Sequence, residues 1–203
     1  NNIWMIIFNN KTYIKIKCNN YQQIFNYQED HHYSKLWEKK HIYQFIPANI
    51  FQTHKSKNYI ESNEKLCSAT QTWKCNKTFN YNFFDDSQIN IFIQQMDVHF
   101  PGIYTQFCRL PLPVMKADLW RYCVIYEYGG IYADTDTELL IDPMEFISKP
   151  CKLCVVPENS THMCQWVFSA PKYSPILHTI VSLSIKRLQE TSIIKGEHIV
   201  HYL

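Results

Sequence analysis

The stretch Tyr132-Ala133-Asp134-Thr135-Asp136-Thr137-Glu138 carries acids at alternate positions. Alternate residues of a strand point to one face. Asp134 and Asp136 are therefore predicted to present two carboxylates to a single point, with Thr135 turned away. Two like charges that close repel, and keeping both ionised takes a cation or strong hydrogen-bond donors. Oxygen-only ligands select hard ions such as Mg²⁺ and Mn²⁺. A site with so few protein ligands completes its coordination sphere with water and substrate phosphates. A diphosphate-linked substrate suits that chemistry, because the metal neutralises a departing diphosphate as Lewis acid and template.

The same acids admit other readings. Taken alone, D-x-D is equally the wet end of a strand. Counted from Asp134 as position 1 of a calcium loop, acids fall at positions 1, 3, 5, 9 (Asp142) and 12 (Glu145). Position 6, which needs Gly for the sharp turn, is Leu139, Pro143 lies inside the loop, and "GGIYA" precedes it in place of a helix. A carboxylate pair for glycoside hydrolysis needs its two acids across the substrate from each other, which neighbours on one strand do not offer. Cys151-Lys-Leu-Cys154 is a lone CxxC that Cys164 and His162 complete poorly as a zinc site.

The acids must be positioned by what surrounds them. "PVMKADLWRYCVIYEY" (113–128) reads as the clearest helix, with Pro113 in its first turn and apolar residues nearly all round, hence largely buried. Gly129-Gly130 stops it, and "IYAD" follows as a short strand. Upstream, "HIYQFIPANIFQTHKS" reads as a strand with Pro47 near its start and residues 52–56 at its exit. Residues 59–73 have helix-forming composition, and 78–84 alternate as a strand does. Residues 85–100 read as a helix capped by Asp86 or Ser87 and ended by Pro101-Gly102. The Asp85-Asp86 pair either caps that helix or approaches a ribose. Downstream come a helical turn in "PMEFI", strands in "KLCVV" and "QWVFSA", and an amphipathic helix over 174–190. "TYIKIKC" is a further candidate strand, in a polar and weakly specified lead-in. Strands alternating with helices predict an α/β sheet covered on both faces, with ligands at the carboxyl ends of its strands. The acidic ladder lies at such an end.

Composition sets outer bounds. The 203 residues suit one domain; 46% are apolar, 19% charged and 15% aromatic, a globular balance. The net charge is +2 with no long basic run, so the electrostatic footprint of a nucleic-acid binder is missing. "IWMIIF" is six apolar residues, far short of the roughly 20 that a membrane span needs. Eight cysteines permit disulfides without showing them, and sequons stand at Asn10, Asn76 and Asn159.

The wider string "VMKADLWRYCVIYEYGGIYADTDTELLIDP" resembles the sugar-binding region of DXD glycosyltransferases related to initiating α-1,6-mannosyltransferases. The resembling elements are A-D-x-x-R-Y on a helix followed by Y-G-G-x-Y-x-D-x-D, with "IPANIFQTHKS" similar to that family's first strand. The resemblance covers roughly residues 45–185. It implies that Asp134 and Asp136 hold Mn²⁺ or Mg²⁺ against a nucleotide-sugar diphosphate. It implies that Asp118 and Arg121, which share a helix face at i and i+3, contact the donor sugar; Arg121 also pairs with Asp118 on the plainer reading. It places Gln52, Thr53 and Tyr132 beside the nucleotide, Tyr132 being otherwise a core aromatic. Phe51 stands where the family usually has His, and His54 where it usually has Trp, so the base stays open.

Together these readings predict a GT-A-type nucleotide-diphospho-sugar transferase fold, a mixed, mostly parallel sheet flanked by helices. Residues 1–41 form the lead-in and 42–203 the domain, shortened at its C-terminus relative to the family. The resemblance implies a metal-dependent, retaining transfer of a hexose, mannose from GDP-mannose, to a glycan, glycoprotein or glycolipid acceptor in the Golgi or secretory lumen, with any membrane anchor outside this chain. No catalytic base or nucleophile is identifiable. The alternatives are an inactive nucleotide-sugar-binding relic and a calcium-loop protein.

Overall fold

The computed structural model describes residues 45–147, 153–157 and 163–190. The lead-in with its candidate strand, Cys151, His162 and the sequons at Asn10 and Asn159 lie outside the described residues. In chain order the elements are β1 (Asn49–Thr53), α1 (Lys57–Ser62), α2 (Glu64–Lys74), β2 (Asn80–Phe84), α3 (Asp86–Met96) and α4 (Ile103–Arg109), then α5 (Pro113–Tyr128), β3 (Gly130–Ala133), α6 (Met144–Ile147), β4 (Cys154–Pro157), β5 (Met163–Ala170) and α7 (Pro175–Glu190).

The strands form one sheet in the order β2-β1-β3-β5-β4. β1 runs parallel to both β2 and β3, with Phe51 opposite Asn82 and Tyr132. β5 lies antiparallel to β3 and to β4. The expected mixed sheet is present, and its pairings divide evenly between parallel and antiparallel. The reason lies in the connections. A parallel return needs a crossover of a dozen or more residues, usually a helix. The helices α2 and α5 precede β2 and β3, whereas α6, a single turn of four residues, is the one described helix between β3 and β5.

Both faces are covered. On one, Phe51, Tyr132 and Phe168 pack against α3, α4, α5 and α7 through Ile93, Phe107, Trp120 and Leu177. On the other, Ile50, Ile131 and Ala133 pack against Trp73 of α2 and Ile147 of α6. The alternation of Ile131, Tyr132 and Ala133 divides β3 between these two cores, the signature of a strand buried on both sides.

Local chemistry sets the element ends. The helical composition of 59–73 resolves into two helices, because Asn63 ends α1 and its Oδ1 accepts from Leu66 N at 3.2 Å to cap α2. The cap of α3 is Asp85, one residue before the expected Asp86 or Ser87. Its Oδ1 accepts from Gln88 N at 2.9 Å, and Gln88 Oε1 accepts from Asp85 N at 3.0 Å, a reciprocal capping box. α3 ends at Met96, and the short α4 after Gly102 had no counterpart in the sequence reading. α5 has the predicted bounds. At its end, Gly129 and Gly130 have φ of 66° and 128°, and a Cβ on Gly130 would sit 2.5 Å from Asn49 O. Only glycine meets both demands, so the helix turns directly into β3 against β1.

No described helix is long and apolar enough to cross a membrane.

Candidate functional site

β3 ends at Ala133, so Asp134 and Asp136 lie in a turn and not on alternate strand positions. This corrects the geometric premise drawn from the sequence. The turn closes because Thr137 folds back: its N–H and Oγ1 donate to Asp134 O at 3.2 and 2.6 Å. Asp134 leans inward, half-buried, while Asp136 is exposed and Thr135 between them is buried.

Asp134 is gripped from several sides. Its backbone N–H donates to Trp166 O of β5 at 2.8 Å. Its backbone carbonyl accepts from Gln52 Nε2 of β1 at 3.0 Å, and Tyr81 of β2 donates to the Oε1 of the same Gln52 at 3.0 Å. Its carboxylate accepts from the Tyr132 hydroxyl and lies 3.6 Å from the Arg121 guanidinium. Three neighbouring strands thus converge on one aspartate.

Arg121 is the hub on the helix side. Its side chain and that of Asp118 are each 8% exposed, and the two are paired at 2.7 Å. Arg121 Nη1 also donates to Gln165 O at 3.0 Å, and the guanidinium lies 4.8 Å from the Tyr132 ring centroid. Its Nε is buried without an acceptor among the described residues, a rare condition for so strong a donor. Burial works against the Arg121 charge, but Tyr132, Asp134 and Asp118 outweigh it, and the guanidinium stays firmly protonated. Burial pushes the Asp134 carboxyl up from its ordinary value, against the pull of Arg121 and the Tyr132 hydrogen bond, and Asp136 adds repulsion.

Asp118 and Asp134 thus share the one arginine on α5, and Asp136 adds a like charge beside Asp134. A cation held by Asp134 and Asp136 would offset that repulsion. Among the described residues no three His, Cys, Asp or Glu converge. Two carboxylates alone would be a sparse donor set, one that suits Mg²⁺ or Mn²⁺ completed by water and phosphate oxygens. Asp142, position 9 of the calcium-loop pattern, has its Oδ1 accepting from Met144 N at 2.9 Å at the start of α6.

Of the remaining expected residues, Gln52 and Tyr132 are 0% and 1% exposed and reach the site through Asp134. Thr53 is half-buried, with Oγ1 donating to Phe84 O at 2.7 Å. Phe51 is a core residue stacked on Tyr128. His54 stacks on Tyr59 at 4.8 Å, and burial, then Lys55, holds its imidazole below the ordinary value.

The sequence reading missed the role of α2. Thr70 Oγ1 donates to Thr135 O at 3.3 Å, Trp73 Nε1 to Thr137 O at 2.9 Å, and Leu139 N to Thr72 Oγ1 at 2.8 Å. Three side chains of one helix thus hold alternate residues of the acidic loop. Thr70 and Trp73 are buried one turn apart on a helix of mixed polarity, which does not reveal what they will meet.

The model of the family described as "Glycosyltransferase sugar-binding region containing DXD motif" matches residues 15–152. The chain belongs to this family. An initiation-specific alpha-1,6-mannosyltransferase of Schizosaccharomyces pombe is 26% identical over 189 residues, covering 79% of this chain and 47% of that protein. Its Candida albicans namesake is 28% identical over 162 residues, 68% of this chain and 42% of that protein. An inositol phosphoceramide mannosyltransferase 3 of S. pombe is 31% identical over 102 residues, 49% of this chain and 27% of that protein. The chain thus spans less than half the length of these curated relatives. Among solved structures, a PaToxG glycosyltransferase superposes with a TM-score of 0.54 at 17% identity, covering 78% of this chain and 69% of that one. The fold is the GT-A-like α/β fold expected of a DXD glycosyltransferase, and the DXD of the family is Asp134-Thr135-Asp136.

Proposed function

We propose that this chain carries the donor site of a metal-dependent mannosyltransferase, which moves mannose from GDP-mannose to a glycan or glycolipid acceptor with retention at the anomeric carbon. The observation that carries the reading is Asp134, raised by burial and held by β1, β3 and β5 beside an Asp118–Arg121 pair. The mannosyltransferase names of the relatives support the sugar, and the family supports the divalent ion.

In this reading Asp134 and Asp136 hold Mn²⁺ or Mg²⁺, which supplies charge neutralisation for the leaving diphosphate. Gln52 and Tyr132 fix Asp134 in place, and Thr53 and His54 border the nucleotide at the exit of β1. Asp118 accepts hydrogen bonds from donor-sugar hydroxyls while Arg121 orients it. No base or nucleophile from the protein is invoked. The family resemblance and the Asn76 sequon support action in the Golgi or another part of the secretory lumen.

The test is product formation. Incubation with GDP-mannose, Mn²⁺ and an α-mannoside should yield a new α-linked mannoside by NMR, with UDP-glucose a poor donor. Tight GDP-mannose binding without turnover would instead mark an inactive nucleotide-sugar-binding protein.

A further inference from the structure

Phe168 and Ala170 of β5 share one face of the sheet, and Trp166 and Cys164 follow at the same alternation toward the end where the pairing with β4 shifts register. That face is the one covered by α5, since Phe168 meets Tyr122 and Tyr132 at 5.5 and 5.6 Å. Cys164, Phe168 and Ala170 are buried there, at 4%, 3% and 0% exposure, yet Trp166 is 44% exposed. The largest side chain on the face is the one left uncovered, although aromatic side chains of this size are ordinarily covered in a core.

The register shows what lies beside it. Ala133 pairs with Val167, and Asp134 N donates to Trp166 O at 2.8 Å. Trp166 is therefore bonded through its carbonyl to Asp134, one residue past the end of the β3–β5 ladder. Asp134 shares the face as well, because Tyr132 on that face reaches its carboxylate. Asp118 lies one helical turn before Tyr122, and Arg121 donates to the adjacent Gln165 O at 3.0 Å. Trp166 is thus an exposed indole on the stretch of β5 whose backbone is bonded to Asp134 and to Arg121.

We infer that Trp166 is the stacking platform for the acceptor sugar. An aromatic face is apolar and electrostatically negative. A pyranose ring offers the complement, a patch of C–H bonds ringed by hydroxyls. A nucleotide base is the wrong occupant, because β1, whose exit borders the nucleotide, flanks β3 on the side away from β5. The donor hexose is also the wrong occupant, because its contacts Asp118 and Arg121 lie inward, at 8% exposure. What remains is a hexopyranose arriving from solvent. This assignment rests on the glycosyl-transfer reading above.

The test uses Trp166→Ala and Trp166→Tyr in the full chain, with α-1,6-mannobiose as the acceptor probe. Two measurements run side by side: transfer kinetics with GDP-mannose and Mn²⁺, and the ¹⁵N-indole NMR signal of Trp166, identified by its loss in Trp166→Tyr. The Ala variant should raise the mannobiose KM about tenfold, the loss of one modest stacking contact. The GDP-mannose Kd should move less than twofold, and the Tyr variant should recover most of the loss. Mannobiose should shift the Trp166 indole signal. An unchanged mannobiose KM, or a weakened GDP-mannose Kd with unchanged mannobiose KM, would overturn the platform while leaving the transferase reading intact. If GDP-mannose is not used at all, the donor reading fails, and the NMR arm decides alone: a shift with mannobiose upholds the platform and no shift overturns it.

Discussion

Trp73 Nε1 donates to the carbonyl of Thr137 at 2.9 Å, tying helix α2 to the loop that carries Asp134 and Asp136. With the Thr70 and Thr72 bonds, this link sets the backbone path of residues that no strand supports. Trp73 is 2% exposed and packs in the core beneath the sheet.

Trp73→Phe keeps an aromatic ring in that core and removes the donor. The variant should lose about 1 kcal/mol, the usual net value of one such bond, read by urea denaturation. The Mn²⁺ concentration for half-maximal activity should rise several-fold while activity at saturating metal recovers. A loss of stability without a change in metal dependence would reduce α2 to scaffolding.

The Asp118–Arg121 pair should behave as a buried ion pair. Asp118→Ala leaves a buried guanidinium short of its nearest carboxylate, and breaking such a pair costs about 3–5 kcal/mol. Arg121→Lys should not restore the site, since an ammonium cannot serve Asp118, Asp134 and Gln165 O in one plane. Denaturation of both variants, alongside donor binding at a temperature where each stays folded, checks this.

The buried phenols predict an alkaline limit on stability. Burial pushes Tyr122 up to about 12 from an ordinary 10.0, with Arg121 pulling the other way. The folded value is the higher one, so this contribution is complete below pH 10 and is lost as pH rises from 10 toward 12. Such a rise corresponds to about 2–3 kcal/mol over that window. Burial raises Tyr81 and Tyr132 as well, which steepens the fall. Urea midpoints between pH 9 and 11.5 should drop, and Tyr122→Phe should flatten the slope.

The parts of the site legible in the sequence are those encoded locally. Pro113 and Gly129 bracket α5 with the bounds read from its pattern, and the three-residue spacing of Asp118 and Arg121 fixed their common helix face. The D-x-D was visible as a motif but not as a shape. Alternation implied a strand, whereas the ladder with β5 runs out at Ala133 and Thr137 closes a turn. The bracing by α2 was invisible for another reason. Thr70, Thr72 and Trp73 meet their partners 64 to 67 residues along the chain, and a helix of mixed polarity does not disclose which loop it will hold. Gln52 shows the same limit: its place at the exit of β1 was legible, but not its complete burial beneath Asp134.

In the proposed reaction Asp134 and Asp136 would hold a divalent ion against a sugar-nucleotide diphosphate. The direct measurement is calorimetric titration of GDP-mannose into wild type and Asp136→Ala, with Mn²⁺ and with EDTA. Asp136 is exposed, so its loss should leave folding intact. Binding should require Mn²⁺ and weaken at least tenfold in the variant. Binding that is equal in EDTA, and equal in Asp136→Ala, would contradict that metal role.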